Sequence, residues 1–202
     1  MSIMERIRSE AGRLPEGKPV TTKAFMSFGS RASVDQALSR LVKAGVLSRL
    51  TRGVFVRPRR SAFVGTVPPE PIQIAAAIAA ESDYKVQVHG AEAARRLGLS
   101  TQVPAKPIFY TSGPSRSFRL GAMEVSLKHV SPRKLALAGR PAGIAFTALW
   151  YLGKERVTSE TIEHIRSRLA PEEFKALCAE VSAMPGWMHD VILKYTGRPQ
   201  RA

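Results

Sequence analysis

The residues of this chain best suited to chemistry are cations and amides set at helical spacing. Between Ser30 and Gly45 the apolar positions Val34, Ala37, Leu38, Leu41 and Val42 recur at the i, i+3, i+4, i+7, i+8 pattern of one helix face. The opposite face then carries Arg31, Ser33, Gln36, Ser39, Arg40 and Lys43, with Asp35 among them. A helix fits the major groove of B-DNA and presents the side chains of its N-terminal half to base edges. In that setting Gln36 pairs with adenine and Arg31 with guanine, while Arg40 and Lys43, further along, meet phosphates. Asp35 repels phosphate unless it accepts from a cytosine or caps its own helix. Downstream, the β-branched runs Val46 to Leu50 and Val54 to Val56 flank Thr51-Arg52-Gly53, a turn whose glycine can take positive φ. That hairpin adds Arg49, Arg52 and Arg57 to the basic set, with Arg52 at the tip, where arginine reaches phosphate or the minor groove.

Other side chains offer less. His89, His129, His164 and His189 stand singly, without the i, i+4 spacing of a metal site. His89, beside a helix start, reads as a surface or capping histidine. Cys178 is the one cysteine, which excludes an internal disulfide and a cysteine-based zinc site and suggests a small buried hydrophobe. Thr111-Ser-Gly-Pro-Ser115 lacks the flanking glycines of a nucleophile elbow. Gly90 to Gly98 lacks the Lys-Ser/Thr of a phosphate loop. No catalytic residue, metal site or cofactor is expected, and the chain is not expected to be an enzyme.

Those side chains need a scaffold. Ser2 caps a first helix with Ile3, Met4 and Ile7 at helical spacing, stopped by Gly12 and Pro15. Thr22 caps a short second helix through Met26. Ser30 precedes the third, and Gly45 ends it in the C′ position. Three helices and a tight hairpin in under 60 residues give a winged helix-turn-helix. The remainder is mixed: helices at Pro71 to Ala80 and Gly90 to Leu97, strands at Lys85 to Val88 and Pro107 to Thr111, and a hairpin about Gly121. A helical tail follows: Ile144 to Leu152, Ser159 to Leu169, Pro171 to Ala183 and Gly186 to Tyr195. The expected fold class is α+β, with domains at 1–60 (winged helix) and 71–202, joined by a Pro-rich connector at 61–70.

Charge follows the same division. The 202 residues carry a formal net charge of +15, and residues 1–60 hold 13 Lys/Arg against 4 Asp/Glu. Basic density concentrated at the front suits a polyanion, and few aromatics are placed to stack bases, which favours duplex DNA over RNA. No apolar run approaches the roughly 20 residues of a membrane span, and the first residues mix Glu5, Arg6, Arg8 and Glu10 with apolar ones rather than reading as a signal peptide. A cytoplasmic location is expected. Trp150 and Tyr151 read as core, and the Trp187–Met188 pair as a possible exposed partner surface.

The string from Ser30 to Val56, SRASVDQALSRLVKAGVLSRLTRGVFV, resembles the N-terminal winged helix of AbiEi-type antitoxins, with Phe55 where tyrosine is common in relatives. A second stretch, LGLSTQVPAKP from Leu97 and YTSGPSR ending at Arg116, resembles the start of that family's C-terminal domain. The resemblance implies an antitoxin encoded beside a nucleotidyltransferase-like toxin. Its first domain would bind and repress its own promoter, and its second would supply antitoxicity and help DNA binding. It gives Arg31, Ser33, Gln36, Arg40 and Lys43 the recognition-helix role and Arg52 the wing role. Arg116, Arg119 and Lys128 are candidates for a second surface toward DNA or toxin. The alternatives are a stand-alone winged-helix regulator and an antitoxin acting by protein contact without DNA.

Overall fold

The structure is a computed structural model describing residues 2–63 and 65–197; the last five residues of the expected second domain lie outside them. It is mixed α+β and divides into two compact units, Met1–Asp83 with Ser117–Val125, and Tyr84–Arg116 with Ser126–Ala202.

The first unit begins with α1 (Ile3–Arg13), opened by a reciprocal capping box between Ser2 and Glu5, which satisfies two otherwise orphaned amides. Strand β1 (Pro19–Thr21), a 3-10 helix (Thr22–Phe28), α2 (Arg31–Lys43), β2 (Ser48–Thr51) and β3 (Val54–Val56) follow. The strands form an antiparallel sheet in the order β1-β3-β2. The apolar stripe of α2 faces inward: Val34, Ala37, Leu38 and Leu41 are buried with Ile7, Ala11, Phe25, Leu47 and Phe55, and Val42 packs half-buried against them. Each such leucine contributes about 1.5–3 kcal/mol, enough to fix which face of α2 points outward. Gly45, at φ +71°, follows the helix end and takes the left-handed position a β-carbon would oppose. Two α-helices and a 3-10 helix lie with a three-stranded sheet whose β2–β3 strands form a hairpin, in the chain order expected of residues 1–60.

Two local expectations change. Thr22 does not cap the second helix: its hydroxyl donates to the Gly53 carbonyl at 3.4 Å, and its amide donates to the same oxygen at 2.9 Å. That helix is 3-10 and is preceded by a strand the composition does not announce. The expected connector is also structured. Residues Arg59–Ser61 (β4) and Gly65–Val67 (β5) pair antiparallel, and α3 (Pro71–Ala80) belongs to the first compact unit, with Pro at its first turn.

The second unit contains β6 (Val86–Val88), α4 (Gly90–Arg96) and β7 (Ile108–Thr111); the hairpin strands β8 (Arg116–Leu120) and β9 (Met123–His129) follow, of which Ser117–Val125 group with the first unit. The sheet order is β6-β7-β9-β8, antiparallel between β6 and β7 and parallel between β7 and β9. Helix α5 (Pro141–Leu152) contains no charged residue and buries Ala142, Ala145, Phe146, Ala148 and Leu149 completely, as a helix apolar all round must. Short helices α6 (Ser159–Arg168), α7 (Pro171–Ala179) and α8 (Gly186–Thr196) form the expected tail. Thr158, not Ser159, caps α6, and a 3-10 turn at Val181–Ala183 separates α7 from α8.

Candidate nucleic-acid interface

Helix α2 starts on a serine cap. The Ser30 hydroxyl accepts from the Ser33 amide at 3.3 Å, and the two hydroxyls lie 3.0 Å apart. Ser33 is therefore half-buried and drawn into the cap. Gln36, Arg40 and Lys43 are exposed, and Ser39 is half-buried. Arg31 is exposed, and its Nε donates to Asp35 Oδ2 at 2.9 Å. Asp35 thus neither faces solvent alone nor caps the helix; it holds the arginine one turn before it.

One flank of this face has a neighbour. Ser33, Gln36, Ala37 and Arg40 border a cleft of about 260 Å³ with Ser2, Ile3 and Met4 of the first helical turn. The Ile3 side chain lies against Gly29, where an added β-carbon would sit 3.0 Å from Ile3 Cδ1. One turn on, the Arg6 guanidinium stands 5.1 Å from the Phe28 ring centre, a cation–π stack. Arg6 is exposed and beside the entry to α2. The sequence gives no signal for it, because only the packing of α1 on α2 brings it there.

The hairpin supplies the other cations. Gly53, at φ +74°, closes the turn, and its carbonyl is the oxygen that Thr22 engages from amide and hydroxyl. The wing is thereby tied to the start of the 3-10 helix. Arg52 is exposed at the tip. The Arg49 guanidinium lies 5.4 Å from the Phe55 ring centre, which orients it on the sheet. Arg57 has a structural task instead. Its Nη1 donates to the carbonyls of Gly12 at 2.9 Å and Leu14 at 3.2 Å, and its Nη2 lies 3.1 Å from Glu16 Oε1. Those carbonyls close the C-terminal end of α1, which attracts a cation; Arg57 is set apart from the candidate DNA-contact residues on that ground.

Arg116 and Arg119 both lie on β8, and Lys128 lies on β9; all three are exposed. Positions 116 and 119 are an odd number of residues apart, so strand alternation turns them to opposite faces. Lys128 pairs in register with Tyr110 of β7.

In the second unit His89 caps α4, its Nδ1 accepting from the Ala91 amide at 3.2 Å. Its ring centre lies 4.9 Å from that of Tyr110 and 6.1 Å from that of Tyr151. Burial, and then the Lys128 ammonium, push its pKa below the usual 6.5, so the acceptor form is favoured. His164 and His129 bond the carbonyls of Leu97 (2.7 Å) and Gly113 (2.9 Å). Among the described residues no group of three or more His, Cys, Asp or Glu is placed to hold a metal, and no helix is long and apolar enough to cross a membrane. A cleft of about 960 Å³ between β1 and α3 has Glu16, Lys18, Arg59 and Glu70 as its charged lining, which offers no nucleophile paired with a base. Met188 is fully buried and Trp187 half-buried, so the pair does not form the exposed surface weighed as an alternative, and Cys178 is half-buried rather than inside the core.

Comparison places the chain among known sequences. Residues 3–177 match the profile of a family of unknown function, DUF6088. The chain belongs to that family. No curated protein matches it. Among solved structures the DUF6088 chain resembles the RV2827C protein from Mycobacterium tuberculosis. The TM-score is 0.42 and the sequence identity 15%, covering 99% of this chain and 83% of that one.

Proposed function

We propose that this protein binds double-stranded DNA at its own promoter through α2 and the β2–β3 wing, and represses transcription by occluding that site. The observation that carries the reading is the fixed orientation of α2. Burial of Val34, Leu38 and Leu41 leaves Arg31, Gln36, Arg40 and Lys43 exposed, while the Gly53–Thr22 hydrogen bonds hold the Arg52 tip against the same helical unit. Affinity would come from phosphate neutralisation by Arg40, Lys43, Arg49 and Arg52, and register from Arg31 and Gln36.

The resemblance to AbiEi-type antitoxins extends the proposal. The chain would act in the cytoplasm as an antitoxin, without enzymatic activity of its own, and counteract a nucleotidyltransferase-like toxin. Arg116, Arg119 and Lys128 are the residues proposed for a further DNA or toxin contact, singly rather than as one face.

Fluorescence anisotropy on a labelled duplex from upstream of the gene tests the DNA reading. With four phosphate contacts the slope of log K against log salt should be about −4. Absence of binding at low salt, or a slope near zero, refutes it. Co-expression with the adjacent gene tests the antitoxin reading. Growth arrest relieved by this chain supports it, and arrest unrelieved by a folded, expressed chain refutes it.

A further inference from the structure

The Arg31–Asp35 pair is placed against the interests of its own helix. A helix N-terminus carries partial positive charge and favours acidic residues, yet the first turn of α2 contains no acidic residue and begins with Arg31. An Arg-to-Asp order at i, i+4 is also the weaker orientation for helix stability. The pair is solvent-exposed, with side-chain exposures of 65% and 49%, so its worth to the fold is small. An aspartate within a face of Gln36, Arg40 and Lys43 further opposes phosphate. Fold stability therefore gains little from Asp35 and phosphate affinity argues against it, and its geometry supplies the remaining role. The carboxylate takes Arg31 through Nε, at 2.9 Å. That leaves Nη1 and Nη2, the end-on donor pair, to meet the O6 and N7 of guanine.

Resting on the DNA-binding reading above, we propose that Asp35 is a positioning residue for base readout. It holds the Arg31 guanidinium in the orientation that reads a guanine, and lowers binding to sequences that lack one. An unheld arginine has many rotamers and makes phosphate contacts indiscriminately; a held one surrenders less side-chain entropy at the correct base. When the helix docks and water leaves, the ion pair strengthens as the local dielectric falls.

The experiment uses the full chain. A 20-bp motif is selected from a random duplex library with the wild-type protein, and affinities for the selected duplex and a scrambled duplex are compared. Asp35→Asn should bind the scrambled duplex more tightly, because one like charge is gone, while its selected-over-scrambled ratio falls by at least about threefold, part of the range one base contact supplies. Asp35→Glu, which retains the carboxylate, should recover part of the ratio. In an Arg31→Ala background, Asp35→Asn should leave the ratio unchanged. Equal tightening on both duplexes by Asp35→Asn would overturn the proposal, since Asp35 would then act only as a repelling charge. So would an unchanged ratio, or an equal loss in both Arg31 backgrounds. A wild-type chain that binds no duplex would defeat the DNA-binding reading itself. One that binds but selects no motif would leave duplex binding standing and defeat base readout by Arg31 and Gln36, and the role of Asp35 with it.

Discussion

Arg57 closes the end of α1 by donating from Nη1 to the carbonyl of Gly12 at 2.9 Å, across 45 residues of chain. The contact joins the strand leaving the wing to the helix that opens the fold. Arg57→Ala should therefore lower the stability of the chain by about 1.5–3 kcal/mol, the range for hydrogen bonds involving a charged group. The more exposed ion pair to Glu16 adds little to that. A urea melt followed by circular dichroism checks the loss. At temperatures where the variant remains folded, the salt slope of DNA binding should be unchanged. A slope reduced by about one would show that Arg57 contacts phosphate instead.

Readout and positioning should separate on α2 and the wing. Gln36→Ala should cost about 1–3 kcal/mol on the selected duplex and less on a scrambled one. Lys43→Ala and Arg52→Ala should weaken both alike and each lower the salt slope by about one. Titrations at several salt concentrations distinguish the two classes. A Gln36 variant that loses both duplexes equally would mean that its face of α2 meets backbone, not bases.

Gly90 is fixed by a close approach within the second unit. A β-carbon there would sit 2.4 Å from Tyr151 Cβ and 2.9 Å from Tyr151 Cγ. Because the obstacle is the base of a side chain on the buried helix α5, it cannot swing aside. Gly90→Ala should destabilise by about 1–3 kcal/mol through overpacking. That outweighs the alanine preference of roughly 0.5–1 kcal/mol in helices. Thermal unfolding of the variant checks the sign: a stabilised protein would mean that α4 and α5 part easily.

Stability should fall with acid in two windows. Burial and Lys128 hold the folded His89 below its usual 6.5, so the unfolded chain takes up that proton first. The contribution is complete above pH 6.5 and is lost as pH falls through the lower folded value. Glu92 is held down to about 2, first by the hydrogen bond from Arg95; burial opposes this, and the Arg96 hydrogen bond and the charges of both arginines outweigh that opposition. Its contribution is present above the usual 4.5 and lost as pH falls toward 2. Urea midpoints measured across pH should show both declines. His89→Asn, which keeps a capping acceptor, should flatten the upper one, and Glu92→Gln the lower.

What the sequence by itself determined is local. The Ser2–Glu5 box, the Ser30 cap, the Gly45 stop and the α2 stripe all join residues three or four apart. Helix periodicity alone brings such residues together, so their types and spacing suffice to read them. The same reach made α3 legible to its end residues and placed His89 at a helix start, and the structure chose its capping role over a surface one. Three residues carry too little period to detect. Val54–Val56 and Val86–Val88 were legible only because valine dominates them, whereas β1, β4 and β5, which include Pro19, Arg59-Arg60 and Gly65, carry no such composition and were missed. Contacts between distant segments depend on which faces meet, and only the tertiary structure decided those. It turned Thr22 from a cap into the anchor of the wing at Gly53, 31 residues away. It withdrew Arg57 from the basic surface and brought Arg6 to Phe28. It buried Met188 and joined α3 to the first unit. Charge told which half of the chain suits a polyanion; packing decided which of its cations remain on the surface, because an arginine spent on helix carbonyls and one open to phosphate have the same letter.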